Sequence, residues 1–165
     1  MQLAHPIAPC LWFDDRGEEA AEFYTAIFPN SKIVAVTRYG EAGQEIHGKE
    51  PGSVMTVEFV LNGQTFTALN GGPIFKFNEA VSFQVLCESQ EEIDFCWAEL
   101  SEGGDPNAQQ CGWLKDRFGL SWQIVPRGMA EMLKGPSSPG AHRAFTALLG
   151  KKKIDVAELK RAHDG

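Results

Sequence analysis

Apolar positions along this chain change period in a fixed order, and that order occurs twice. Residues 7–13 (IAPCLWF) are a short apolar and aromatic run, which predicts a strand. Asp15 and Glu18 then have the spacing of a capping box. Ala20, Phe23, Tyr24, Ile27 and Phe28 follow at helical spacing, and Pro29-Asn30 stops the helix. Residues 32–39 (KIVAVTRY) are β-branched and strand-like. Residues 40–52 have no periodicity; a loop this long in a compact domain is usually mobile or covers a site. Residues 54–61 and 64–70 form a predicted hairpin around Asn62-Gly63, and Asn70-Gly71-Gly72-Pro73 ends regular structure.

The same series then restarts. Residues 80–87 (AVSFQVLC) read as a strand, and Ser89-x-x-Glu92 offers a second capping box. Ile93, Cys96, Trp97 and Leu100 form a second helical stripe, matching Ala20, Phe23, Tyr24 and Ile27. A short third strand is expected near residues 107–110. Residues 112–126 (GWLKDRFGLSWQIVP) close the series as a hairpin turning at 116–119. Its second strand alternates Ser121, Gln123 and Val125 on one face with Trp122 and Ile124 on the other.

Strand, helix, strand and hairpin in duplicate predict an α+β fold of two paired β-α-β-β-β modules, residues 1–73 and 74–127, within one compact domain. A ferredoxin-like sandwich also repeats β-α-β, but the hairpin after each weak strand favours the paired modules. Each helix covers one sheet face, and the opposite faces curl into a cup. Residues 128–165 add helices: a short one at 129–134, one begun by Ser138-Pro139 with Ala144, Phe145, Leu148 and Leu149 on its apolar face, and a last one capped by Asp155-x-x-Glu158. Lys151–Lys153 reads as a solvated helix junction.

Composition narrows the function. The 165 residues carry a net charge of −7, which argues against a nucleic-acid partner, since phosphate binding needs a positive surface. No apolar run reaches the ~18–20 residues of a membrane span, and the first residues lack the basic start and apolar core of a secretory signal. A cytoplasmic protein is expected. Cys10, Cys87, Cys96 and Cys111 show no C-x-x-C spacing, so free thiols are expected rather than a zinc or redox motif.

Alternation supplies the candidate site residues. With Met55, Val57, Phe59 and Leu61 under a helix, Thr56 and Glu58 face the cup. A carboxylate there is a candidate base; alternatively it lies at a wet rim or pairs with Arg38 or Lys115. Gln84 and Gln123 share the cup face of the second half, where two amides either hold a carbonyl or hydroxyl ligand or bond one another. Trp12 and Trp113 either line the cup, where flat rings suit a planar ligand, or pack into the core, whereas Trp97 and Trp122 are expected between helix and sheet. Cys10 has no base assigned to it, and none of His5, His47, His142 and His163 belongs to an H-x-H or H-x-x-x-H pattern.

The segments LWFDDRGEEAAEFYTAIFPNSKI, RYGEAG, PGSVMTVEFVLNGQTFTALNGGP, FNEAVSFQV and GWLKDRFGLSWQIVP, with the tail KKIDVAELKRA, resemble the PhnB-like branch of the vicinal oxygen chelate superfamily. That superfamily includes glyoxalase I, bleomycin-resistance proteins and extradiol dioxygenases. The resemblance implies the paired modules, a cup-shaped pocket for a small molecule and a homodimer. Its metalloenzymes carry His, His, Glu and Glu on inward strand positions, which fall here on Ala8 or Pro9, near Ala80, near Asn70 and on Gln123. Alanine and proline offer no donor, and neutral amides bind transition metals poorly. No metal and no cofactor are therefore expected, with Asn70 and Gln123 facing the ligand as amides. Relatives in this branch often carry the label 3-demethylubiquinone-9 3-methyltransferase. A conventional methyl-donor site needs a strand, a Gly-rich turn and a helix within a parallel sheet, and no G-x-G-x-G follows a strand here. The expected function is binding of a small, partly apolar ligand, the alternatives being an enzyme on an aromatic or quinone-like substrate and an antibiotic-sequestering protein.

Overall fold

The computed structural model describes residues 7–135 and 138–165. Contacts along the chain divide it into two units, one ending at Lys76 and one beginning at Phe77.

The first unit is built from β1 (Cys10–Phe13), α1 (Gly17–Ile27), β2 (Lys32–Arg38), a single turn of helix α2 (Gln44–His47), β3 (Val54–Leu61) and β4 (Gln64–Asn70). Its sheet has the order β1-β4-β3-β2, with β1 parallel to β4 and the rest antiparallel. The β3–β4 turn is the predicted Asn62-Gly63, with both residues at positive φ. Val57, Phe59 and Leu61 of β3 are buried with Phe66 and Ala68 of β4 and with Ala20, Ala21, Tyr24 and Ile27 of α1, so the helix covers the face that alternation assigned to it. Phe59 lies at the centre, its ring 6.3 Å from Tyr24 and 5.5 Å from Phe66.

The entry to α1 differs from expectation. Asp15 and Glu18 make no capping box: the cap position is Arg16, whose side chain bonds Glu19 instead. The first helical N–H, from Gly17, donates to Asn70 Oδ1 at 2.7 Å. A side chain at the end of β4 therefore does the work of a local cap, and it does so because the parallel β1–β4 pairing sets Phe13 opposite Asn70.

The second unit contains β5 (Ser82–Cys87), α3 (Gln90–Ser101), β6 (Trp113–Lys115), β7 (Ser121–Pro126), α4 (Met129–Met132), α5 (Pro139–Leu149) and α6 (Val156–Asp164). Its sheet order is β5-β7-β6, again with first and last strands parallel neighbours. Ser89, Ser138 and Asp155 all cap their helices as expected, accepting from Glu92, Ala141 and Glu158 N–H groups. The expected strand near residues 107–110 is instead a 3-10 turn, Pro106–Ala108, followed by an isolated bridge between Gln110 and Trp113. Asp105 accepts from the Asn107 N–H and Pro106 fixes the first turn position, so local side-chain chemistry outcompetes pairing there.

The lysine run does more than separate two helices. Lys151 pairs with Glu158, Lys153 pairs with Asp94, and Lys152 donates to the Pro106 carbonyl. The backbone of the same segment accepts from the Cys111 and Gly112 N–H groups at 2.7 and 2.8 Å. Gly112 has φ +85°, and a Cβ there would meet the Ile124 carbonyl oxygen at 2.9 Å, so glycine is required where this segment joins β7. Val125, Leu148, Ile154 and Leu159 form the core beneath. Among the described residues no helix is long and apolar enough to cross a membrane.

Candidate functional site in the second unit

Register decides which side chains share the sheet face opposite α3. Ser82 lies beside Ser121 and Gln84 beside Gln123 in the parallel pair, while Trp113 faces Gln123 and Lys115 faces Ser121 in the antiparallel pair. These six side chains alternate with Phe83, Val85, Leu114, Trp122 and Ile124, the group that includes the buried residues of the α3 side. Of the two alternatives for the amides, the mutual bond is present: Gln84 Nε2 donates to Gln123 Oε1 at 3.2 Å, and Gln123 Nε2 donates to Ser82 Oγ at 2.8 Å. Gln84 remains exposed and Gln123 half-buried, so the relay runs along the surface of the face.

Beside this relay lies a groove of about 540 Å³, lined by Glu79, Gln110, Trp113, Lys115, Ser121 and Leu149 among others. Lys115 pairs with Glu79. The hydrogen bond from the Lys115 ammonium holds the Glu79 carboxyl below the usual carboxylate range. Ser121 is 1% exposed, and its Oγ has no hydrogen-bond partner among the described residues. A buried hydroxyl without a partner costs about 1–3 kcal/mol. Ser121→Ala should therefore leave the unliganded protein unchanged or stabilise it by about 1 kcal/mol, measured by urea unfolding; a clear loss of stability would mean that the hydroxyl is already satisfied.

The turn between β6 and β7, next to the groove, is fixed by one carboxylate. Asp116, 2% exposed, accepts from the Phe118 and Leu120 N–H groups with Oδ1 and from Trp122 Nε1 with Oδ2, at 2.8–3.0 Å. One carboxylate thus shapes the turn and locks the ring on the α3 side, which holds Trp113, Lys115 and Ser121 in register on the other.

The remaining expected residues lie in the first unit. Glu58 is exposed on the sheet face opposite α1, between Ala35 and Thr67 on the neighbouring strands. Neither expected pairing involves it: Arg38 donates to the Gly52 carbonyl, and Lys115 holds Glu79. Asn70 is buried, with Oδ1 accepting from Gly17 N–H and Nδ2 donating to the Val54 carbonyl at 3.2 Å. Trp12 is half-buried: its Nε1 donates to the Gly72 carbonyl at 2.8 Å, and its ring meets Phe75 edge-on. Gly71 permits this, because a Cβ would lie 2.2 Å from the indole.

The positions that the resemblance assigns to metal ligands offer poor donors for a transition metal. The Asn70 and Gln123 amides already serve protein partners, and Ala8, Pro9 and Ala80 bring no donor. Among the described residues no group of three or more His, Cys, Asp or Glu side chains could hold a metal ion. His47 packs against Tyr39 with the rings tilted by 35° and accepts from the Lys49 N–H through Nδ1, while His142 and His163 lie in α5 and α6. His5 lies outside the described residues. All four cysteines are free; Cys87 Sγ donates to the Val85 carbonyl at 3.8 Å, and the neighbouring Cys96 thiol together with burial pushes the Cys87 thiol up.

The groove's ion pair and unpartnered hydroxyl were not identified from sequence. The only signal was the position of Ser121 and Lys115 on the face shared with Gln123.

Comparison with known proteins adds a lineage to this geometry. A model of the 3-demethylubiquinone-9 3-methyltransferase family matches residues 5–125. The PhnB protein of Bacillus cereus, which carries the same methyltransferase name, is 36% identical over 74% of this chain and 99% of its own, with a TM-score of 0.62. Protein PA1353 of Pseudomonas aeruginosa is 21% identical over 74% of this chain and 98% of its own, with a TM-score of 0.57, a likeness of fold. A glyoxylase/bleomycin resistance protein/dioxygenase domain from Frankia is 16% identical over 74% of this chain and 91% of its own, with a TM-score of 0.47. No curated protein matches the chain.

Proposed function

Since the chain belongs to the PhnB-like, 3-demethylubiquinone-9 3-methyltransferase family of the vicinal oxygen chelate superfamily, we propose that it binds a small, partly apolar molecule, without a metal, on the open face of its second sheet. The observation that carries this reading is the buried Ser121 hydroxyl, unpartnered at the wall of a groove of about 540 Å³. Pockets of roughly 300–1,000 Å³ with a few convergent polar groups suit small ligands. The half-buried Trp113 offers a flat apolar surface, and the Gln84–Gln123 pair lies next to it, with Gln123 opposite Trp113 in the strand register. The family label does not extend to a methyl-donor site: each sheet here is small, mixed and closed by a hairpin, without the parallel sheet and Gly-rich turn that cradle such a donor.

The reading includes a homodimer in a reducing cytoplasm. The free thiols fit that compartment. The edge strand β2 exposes Val34 and Val36, apolar residues that a second copy could cover. Light scattering behind a sizing column tests the dimer directly: a mass of one chain would overturn it.

Binding is tested by titrating ¹⁵N-labelled protein with 2-naphthamide, a neutral bicyclic probe. The Trp113 Nε1–H signal, assigned by its loss in Trp113→Phe, should shift saturably, and the affinity should fall about tenfold or more in Trp113→Ala, as expected when a buried aromatic contact of about 1.4 kcal/mol or more is lost. An unmoved Trp113 signal would contradict the reading. Addition of Zn²⁺ or Mn²⁺ should leave the titration unchanged, and saturable metal binding at this face would contradict the metal-free part.

A further inference from the structure

The groove holds one cation that is mostly withdrawn from water. The Lys115 side chain is 24% exposed, whereas its partner Glu79 is 63% exposed. Lys115 stands on β6, fixed by the Asp116 turn, while Glu79 belongs to the irregular segment before β5. The anchored member of the pair is therefore the cation, and the solvated member is the carboxylate. A second carboxylate on the same ammonium keeps the charge-assisted bond, so replacing one carboxylate with another is close to neutral. Ser121 lies directly opposite Lys115 in the β6–β7 register, and its hydroxyl is free to donate.

We infer that the pocket selects a planar apolar molecule carrying one carboxylate, which takes the place of Glu79 on Lys115 and receives the Ser121 hydroxyl as a second donor. This rests on the binding reading above and deepens it. Lys115 supplies the charge, and Ser121 gains the partner it lacks. Glu79 acts as an internal stand-in that keeps the cation paired when no ligand is bound. Trp113, which faces Gln123 one pleat along the same strand, takes the apolar body. Carboxylates are the matching class because the site already holds one: the lysine pairs with the Glu79 carboxyl, and a ligand of the same chemistry needs no new geometry.

The test compares 2-naphthoate with 2-naphthamide, equal in shape and different in charge, by the Trp113 Nε1–H shift. The naphthoate should bind at least tenfold more tightly, and Lys115→Met should remove that preference while leaving naphthamide binding in place. Glu79→Gln should strengthen naphthoate binding severalfold, because the competing carboxylate is gone, and Ser121→Ala should weaken it. Equal binding of both probes, unaltered by Lys115→Met and Glu79→Gln, would overturn the carboxylate class and leave the pocket standing. Failure of both probes to move the Trp113 signal would overturn the pocket itself. Each variant is first compared with the parent protein by amide spectrum, so that a folding defect is not read as lost affinity.

Discussion

Asn70→Ala should destabilise the protein by about 2–4 kcal/mol, read as a lower urea midpoint with little change in slope. The side chain is buried and joins two parts of the first unit: Oδ1 accepts the first N–H of α1, and Nδ2 donates to the Val54 carbonyl of β3. Alanine leaves both partners without their bond in a place water reaches poorly, and it also removes the only side-chain acceptor at the start of α1 among the described residues. Asn70→Asp should recover part of the loss, since a carboxylate still accepts from Gly17 and is favoured near a helix N-terminus, but it cannot donate to Val54. Probe binding at Trp113 in the folded fraction should be unaffected. Unchanged stability with lost probe binding would contradict this structural role and favour a ligand contact.

Asp116→Ala should cost about 3–4 kcal/mol, because three donors lose a charged acceptor at once and two of them shape the turn. The consequence reaches the groove: without the turn, Trp113, Lys115 and Ser121 are no longer held opposite one another, so probe binding should fall along with stability. Asp116→Asn discriminates between charge and shape. Its oxygen can still serve Phe118 and Leu120, but its NH₂ group then faces the Trp122 Nε1–H, so roughly half of the destabilisation should remain. An Asn variant as stable as the parent would show that the Trp122 bond contributes little. The two substitutions lie in separate units, and their effects should add.

These residues also show what was legible in the sequence. Period-two alternation placed Val57, Phe59 and Leu61 beneath α1 and set Gln84 and Gln123 on one face, because strand geometry leaves side chains only two directions. Ser89, Ser138 and Asp155 were readable as caps because each acts three residues from its target. Asp15 and Glu18 had the same spacing and failed, since the acceptor for Gly17 comes from a residue 53 positions away. The missing third strand of the second unit had a local sign, Asp105-Pro106-Asn107, whose turn chemistry outweighs a segment with Ala108 as its one apolar residue.

The site was harder to read, for a physical reason. Ser121 announces itself only by lacking a partner, a property of three-dimensional surroundings rather than of residue type. The Lys115–Glu79 pair joins a strand to an irregular segment with no repeating pattern, so nothing in the spacing marks it. Glu58 and the two expected first-unit contacts, Trp12 and Asn70, were placed by pattern and by resemblance; the structure gives Trp12 and Asn70 backbone partners and leaves Glu58 in solvent. Family membership orders the fold, while the proposed binding rests on a few side chains in one groove.

The most direct measurement is a crystal structure of chelator-treated protein with 2-naphthoate, recorded with an anomalous scan across the transition-metal edges. The account predicts naphthoate density against Trp113, with its carboxylate on Lys115 Nζ and Ser121 Oγ, Glu79 displaced, and no anomalous peak at this face. A stoichiometric metal peak there, or naphthoate bound elsewhere with the groove empty and the Lys115–Glu79 pair intact, would contradict it.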